Sequence, residues 1–295
     1  MPLEAAGITG AHAGQARAGA MSQTVTGTMD RPAAARSDRS CSILGMRVDE
    51  TDYDSFLAQV LEWTQTPVSR YACVSTVHMA MVCHDDPTFQ AIVNGADMVA
   101  ADGMPVIWTG QTMGLKRLQR VFGPTITVKL CELAARHGIP IGFYGSTPEV
   151  IDKMSRNMKA AFPTLDLAYA HSPPFRPLTP QEDAAIVDDI TRAGVRILLV
   201  GLGCPKQERW MADHRDRLSA TMFGVGWGFE VAAGISKPAP SWVQKIGMEW
   251  FWRLVENPRK LWKRQARDYP RFVVFILLQL IGLKRYPLTP RVHRG

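Results

Sequence analysis

Between Cys41 and Gly234 the chain alternates short apolar runs of strand character with stretches of helical periodicity, and turn residues separate them. Residues 71–77, 97–101, 139–144, 195–200 and 222–225 read as strands. Residues 51–64, with Phe56, Leu57, Val60 and Leu61 on one face, read as a helix, as do 87–94, 124–137 and 179–193, and a further helix opens at Pro205. Gly95 and Gly138 stop two of these helices, while 146–149 (Ser-Thr-Pro-Glu) and 179–182 (Thr-Pro-Gln-Glu) read as capping boxes. Strand, loop and helix repeated in this way need crossover connections. The expected fold is therefore α/β, a Rossmann-like, mainly parallel sheet flanked by helices. Ligands of such sheets bind beyond the carboxyl ends of the strands, which selects Thr76, His78, Asp102, Gly145 to Thr147 and Gly201 to Glu208 for inspection.

After Gly234 the pattern changes. Pro238 and Pro240 interrupt the chain, and four of the eight tryptophans (Trp242, Trp250, Trp252, Trp262) then alternate with Arg253, Arg259, Lys260, Lys263, Arg264, Arg267 and Arg271. From Lys237 onward there are 13 Lys/Arg against 3 Asp/Glu, so a segment of +10 follows a slightly acidic remainder in a chain of net charge +7. The apolar run 272–283 spans 12 residues, short of the roughly 20 that cross a bilayer. Tryptophan beside Lys/Arg and a short apolar run suit a headgroup boundary, so 237–286 reads as a basic, Trp-rich helical appendage on an anionic membrane surface rather than a nucleic-acid contact. The remaining divisions are a disordered leader over 1–40, an α/β catalytic domain over 41–236 and a flexible tail over 287–295. Five cysteines without a C-x-x-C pair suggest neither a disulfide framework nor a zinc cluster, and a reduced cytoplasm fits them.

Asp102 directly follows an apolar strand, where a general base belongs; its position equally suits a cap for the helix beginning near Pro105. The turn from Gly201 to Glu208 places flexible backbone before a helix start, which attracts phosphate, but it lacks the third glycine of a dinucleotide fingerprint and the Gly-Lys-Ser/Thr of a P-loop. A nicotinamide-dependent oxidoreductase is accordingly the weakest reading. Gly145 to Glu149 is explained by its cap alone. Arg120, just before Gly123-Pro124, suits either a diphosphate contact or a surface turn. His84-Asp85-Asp86 is a helix terminus rather than a metal site, and Asp183 and Asp188-Asp189 sit on the face of a capped helix, so no metal is expected.

Taken in order, several segments resemble the WecG/TagA/CpsF family of bacterial glycosyltransferases: Ser75-Thr-Val-His78, Ala96-Asp-Met-Val-Ala-Ala-Asp-Gly103, Arg120-Val-Phe-Gly-Pro124, Phe143-Tyr-Gly-Ser146, Gly201-Leu-Gly-Cys-Pro-Lys-Gln-Glu-Arg-Trp210, Gly224-Val-Gly226, Ala239-Pro-Ser-Trp242 and Glu249-Trp-Phe-Trp-Arg253 with Asn257-Pro-Arg259. The resemblance implies metal-independent, inverting transfer of a hexose-type sugar (N-acetylmannosamine, its uronic acid or glucose). The donor would be a UDP-sugar, with no other cofactor, and the acceptor a polyprenyl-diphosphate-linked sugar at the inner face of the cytoplasmic membrane, in cell-surface polysaccharide synthesis. It makes Asp102 the base, places Thr76 in the same pocket, gives Gln207 the donor, and assigns Arg120 and Arg253 to the leaving diphosphate. His78, Gly145, Gly203 and Glu208 join the substrate site, and Arg259, Lys260, Lys263, Arg264, Trp250 and Trp262 the membrane or lipid-diphosphate contact. The chain departs from the family pattern at His78, where Thr-x-Asn is common, and at Glu230, where an aspartate is. Self-association is left open. The alternative is a non-catalytic, nucleotide-sugar-binding accessory subunit of a membrane transferase.

Overall fold

The computed structural model describes residues 39–288, so nearly all of the expected leader and most of the expected tail lie outside the described residues. The chain enters through an antiparallel hairpin, β1 (Ser40–Ile43) and β2 (Met46–Asp49). Asp52 and Ser55 then form a capping box that opens α1 (Tyr53–Thr64). Next come β3 (Arg70–Ser75), α2 (Val77–Asp85), α3 (Pro87–Gly95), β4 (Met98–Ala101) and α4 (Met104–Thr112). The second half continues through α5 (Gly123–His137), β5 (Ile141–Gly145), α6 (Pro148–Ala161), β6 (Leu167–His171), α7 (Pro180–Arg192), β7 (Ile197–Gly201), α8 (Lys206–Asp213), β8 (Thr221–Gly224) and α9 (Gly228–Ala232). The chain then forms α10 (Ser241–Lys245), α11 (Glu249–Glu256) and α12 (Pro258–Leu280).

Six strands form one parallel sheet in the order β4-β3-β8-β7-β5-β6. The fold is the expected α/β sheet with helices on both faces, because strand side chains alternate between two buried layers. Tyr71, Cys73, Leu198, Val200 and Met222 enter one layer. Ala72, Ile197, Leu199, Phe223 and Phe143 enter the other, beneath α1, α5, α6 and α9.

Three local differences from the sequence reading have physical causes. The strand expected over 71–77 ends at Ser75, since Thr76 is the N-cap of α2 and accepts from the Met79 amide at 3.3 Å. Helix α2 buries Val77, Met79, Ala80, Met81 and Cys83, so apolar residues lie around most of its circumference and no single stripe announces it. At α6 the cap is Thr147, which accepts from the Val150 amide, rather than Ser146, whose positive φ of 56° takes it out of the cap geometry. Strand β6 escapes the periodicity because it is a half-exposed edge without β-branched residues. The box at 179–182 is present as expected, with Thr179 and Glu182 bonded reciprocally, and His84-Asp85-Asp86 is where α2 ends and Asp86 caps α3.

Helix α12 lies along α2. Leu261, Gln265, Asp268, Phe272 and Ile276 form its buried stripe at helical spacing. Arg271 pairs with Asp85 of α2 at 2.6 and 2.8 Å, and Phe275 stacks on His84. Farther along, Gln279 donates to the Ser42 carbonyl at 2.6 Å and accepts from the Leu44 amide. The opposite side leaves Trp262, Val273, Val274, Leu277, Leu280 and Ile281 exposed. No helix among the described residues is long and apolar enough to cross a membrane.

Candidate functional site

The carboxyl ends of the parallel strands and the C-terminal helices enclose one cleft of about 500 Å³. Asp102 occupies the end of β4. Its backbone amide bonds to the Ser75 carbonyl at 2.8 Å, which carries the adjacent ends of β3 and β4 into the same wall. The capping alternative for Asp102 does not hold: Gly103 is the N-cap of α4, without a side-chain cap. The Asp102 carboxylate faces Arg120 instead. Arg120 Nε donates to Oδ1 at 3.0 Å and to the Asp102 carbonyl at 2.7 Å, Nη2 lies 2.9 Å from Oδ1, and the Gly123 amide reaches Oδ2 at 3.4 Å.

Arg120 also holds the C-terminal helices. Its Nη2 grips the Glu249 carboxylate at the start of α11, and Nη1 donates to Gln244 Oε1 of α10 at 3.2 Å. Burial opposes the charge of this guanidinium, but Asp102 and Glu249 outweigh burial and raise its pKa above the ordinary arginine value. Burial, reinforced by the nearby Asp102 charge and opposed by Arg120, raises Glu249 above the usual carboxylate range.

Arg253, one turn along α11 from Glu249, is in a different state. It stacks on the Trp227 ring at 4.2 Å, forms no ion pair among the described residues, and leaves Nε buried without a hydrogen-bond partner. Burial depresses its pKa. A half-buried guanidinium whose Nε is out of water and without a bonded carboxylate is suited to an anion. Arg264 of α12 lines the same cleft.

The opposite wall comes from Ser146 and Thr147 after β5 and from the ends of β7 and β8 with the turns that follow them. Gly203 Cα has a φ of 80°, and its amide donates to Gln207 Oε1 at 3.1 Å, while Gln207 Nε2 donates to Glu208 Oε1 at 2.7 Å. The Gln207 amide is thus engaged at both ends and sets the shape of the turn that borders the cleft. Glu208 does not line the cleft: it is fully buried behind Gln207, and burial lifts its carboxyl to about 7. Gly145 also lies outside the lining. A Cβ there would stand 2.6 Å from the Gly201 carbonyl carbon of the neighbouring strand, so its role is to let β5 and β7 approach.

Thr76 and His78 line the cleft beside Asp102. His78 Nδ1 lies 2.6 Å from Asp268 Oδ2 of α12, and Asp268 is 1% exposed. Of the six residues expected at a membrane or lipid diphosphate, the structure brings Trp250 and Arg264 into the cleft, with Trp250 stacked on Tyr269 at 4.6 Å. Trp262, Arg259 and Lys263 are exposed on the outside of α12; the backbone of Lys260 lies in the first turn of the same helix. Glu249, Gln244 and Asp268 are the site residues that sequence reasoning passes over. A signal existed: the segment from Lys237 onward has only three acidic residues, and two of them, Glu249 and Asp268, are buried here. Among the described residues no group of three or more His, Cys, Asp or Glu side chains could hold a metal ion.

Comparison with known proteins gives a family model described as Glycosyl transferase WecG/TagA/CpsF family, matching residues 41–286. Two curated relatives are both named N-acetylglucosaminyldiphosphoundecaprenol N-acetyl-beta-D-mannosaminyltransferase. That of Bacillus subtilis (strain 168) is 26% identical over 226 residues, covering 75% of this chain and 86% of the relative. That of Bacillus spizizenii (strain ATCC 23059 / NRRL B-14472 / W23) is 26% identical over 231 residues, covering 77% and 87%.

Proposed function

The chain belongs to the Glycosyl transferase WecG/TagA/CpsF family, and from that premise we propose that it is an inverting, metal-independent hexosyltransferase acting from a UDP-sugar onto a polyprenyl-diphosphate-linked sugar. The relatives' printed names support a lipid-diphosphate acceptor and an N-acetylmannosamine donor sugar for this chain. The observation that carries the reading is the pairing, in one cleft, of a strand-end carboxylate, Asp102, with a half-buried arginine, Arg253, that has no bonded carboxylate among the described residues.

In the proposed step the acceptor hydroxyl oxygen forms a bond to the anomeric carbon of the donor while the bond from that carbon to the diphosphate oxygen breaks. The electron pair leaves with UDP, and the hydroxyl proton passes to Asp102. Attack opposite the leaving group inverts the anomeric centre. A positioned base is worth about 10²- to 10⁴-fold in rate. Arg253 is suited to the charge that grows on the diphosphate, since its own charge is not already matched by a bonded carboxylate. Arg120 is suited to hold Asp102 in place, being shared between two carboxylates. The exposed apolar side of α12, bordered by Lys284 and Arg285, supports a peripheral seat on the inner face of the cytoplasmic membrane, where a lipid-linked acceptor is met.

The test is UDP release from a panel of UDP-sugars with EDTA present, using N-acetylglucosaminyl diphosphate on a short polyprenyl chain as acceptor. Acceptor-dependent release is expected, falling at least 100-fold in Asp102→Asn, roughly the contribution of a positioned base. Saturable UDP-sugar binding with no turnover in the wild type would replace this reading with that of a binding subunit.

A further inference from the structure

The cleft holds a second carboxylate-linked group that the reaction above does not use. His78 follows the N-cap of α2, and its Nδ1 meets Asp268, a residue of α12 that lies 190 positions away in the chain. Asp268 also accepts from Arg267 Nε at 2.9 Å. Burial alone would raise its pKa, but the bonds from His78 and Arg267 overcome burial and hold it below the ordinary aspartate value. An ionised carboxylate only accepts, so the hydrogen between the two residues belongs to Nδ1. In the neutral ring Nε2 is then a lone pair. It has no partner among the described residues, and the ring lines the cleft.

Its place in the cleft separates it from the donor side. Gly203, Gln207 and Gly226 border one end, at β7 and β8, whereas His78 stands after β3, next to Asp102 and against α12. On the membrane seat proposed above, a lipid-linked substrate comes in past the helix whose outer side is apolar, and that helix supplies Asp268. We propose that His78, its tautomer fixed by Asp268, contacts the acceptor, with Nε2 accepting a hydrogen bond from a hydroxyl or amide N–H of the acceptor sugar. The inference rests on the transferase reading above and deepens it. His78 is a binding residue here, Asp268 a positioning residue, and the proton of the reacting hydroxyl still goes to Asp102.

The experiment is two-substrate steady-state kinetics on the full chain, varying the N-acetylglucosaminyl diphosphate lipid at saturating UDP-sugar and then the reverse. His78→Ala is expected to raise the acceptor KM about tenfold, the factor carried by one neutral hydrogen bond, and to leave the donor KM within about twofold. His78→Asn, which keeps an acceptor oxygen, should recover part of the loss. Asp268→Asn, whose amide can donate to Nδ1 and so turn Nε2 into a donor, should raise the acceptor KM in the same direction. The double variant should be no worse than His78→Ala. An unchanged acceptor KM, or a rise confined to the donor KM, overturns the proposal. Thermal unfolding and UDP binding of each variant check folding; if His78→Ala unfolds, the His78→Asn and Asp268→Asn comparison decides by the same criterion. Absence of turnover in the wild type would overturn the transferase reading, and this inference with it. Wild-type turnover with flat acceptor kinetics would overturn the inference alone.

Discussion

Arg120 Nη2 lies 2.9 Å from Asp102 Oδ1, and the same nitrogen bonds the carboxylate of Glu249, so one guanidinium ties the end of β4 to the start of α11. Without it two largely buried carboxylates would stand close together with no cation between them. The C-terminal helices are in this way part of the wall around the strand-end carboxylate, and the connection makes an energetic prediction.

Arg120→Ala leaves Asp102 and Glu249 uncompensated, and breaking a buried pair typically costs about 3–5 kcal/mol. A marked fall in the thermal unfolding midpoint is expected, with turnover lost. Arg120→Lys keeps the charge but cannot bridge both carboxylates with a planar fork, so it should regain stability more fully than turnover. Adding Glu249→Gln to Arg120→Ala removes the repulsion, and the double variant should be more stable than Arg120→Ala alone. Additive losses in this cycle, read by denaturant unfolding, would mean that Arg120 and Glu249 are not energetically coupled.

Arg253 calls for the opposite sign in stability. Its Nε is buried without a partner and burial depresses its pKa, so the folded protein carries an unmet cost at this position. Arg253→Met keeps an aliphatic stem against Trp227 and removes the charge. The expected outcome is a midpoint equal to or above that of the wild type, together with UDP affinity weakened about 10- to 100-fold, as loss of a charge-assisted hydrogen bond implies. Calorimetric titration with UDP checks it. A destabilised variant with unchanged UDP affinity would identify Arg253 as a structural residue.

What was legible in the sequence, and what was not, follows from how far apart partners lie. Asp102 and the Gly201–Gln207 turn are recognisable because a strand and the loop after it are local patterns. Glu249 and Asp268 are not, because what gives them meaning is Arg120 and His78, 129 and 190 residues away. In sequence Asp268 looks like an incidental interruption of a basic segment, and Glu249 opens a motif that does not name its partner. Gly145 and Glu208 sit inside recognisable motifs yet stand behind the cleft wall, since a motif marks a stretch of backbone and does not say which of its side chains face the ligand. The same limit applies to α2, whose buried residues cover more than half of its circumference.

Glu208 supplies a pH dependence. Burial raises its carboxyl from 4.5 to about 7 in the folded protein, so the folded state binds a proton more tightly than the unfolded chain. The associated stability is fully present below about pH 4.5 and is lost as pH rises through about 7. Integrated over that shift, the loss is on the order of 3 kcal/mol. Glu208→Gln preserves an oxygen for the Gln207 amide without a charge to bury. The stability of the variant relative to the wild type should rise across this window, and the variant should be more stable than the wild type at pH 8. Parallel pH profiles for the two proteins would show that Glu208 has the same pKa in the folded and unfolded states.

The outer side of α12 carries the last prediction. Val273, Leu277 and Ile281 follow one another at four-residue spacing and are each more than half exposed. Replacing all three by serine removes little that packs inside the protein, and exposed substitutions usually change stability by about 0.5 kcal/mol or less each. Transfer into a lipid interface is another matter: each large apolar side chain is worth up to about 1.5–3 kcal/mol when fully removed from water. Flotation with anionic liposomes should therefore fall at least tenfold, with the unfolding midpoint nearly unchanged. Basic residues near an anionic leaflet contribute about 1 kcal/mol each and are screened by salt, whereas apolar insertion is not. Raising the salt concentration should accordingly weaken wild-type binding without abolishing it, and should abolish the residual binding of the triple variant. Equal flotation of the two proteins would place the membrane contact elsewhere on the chain.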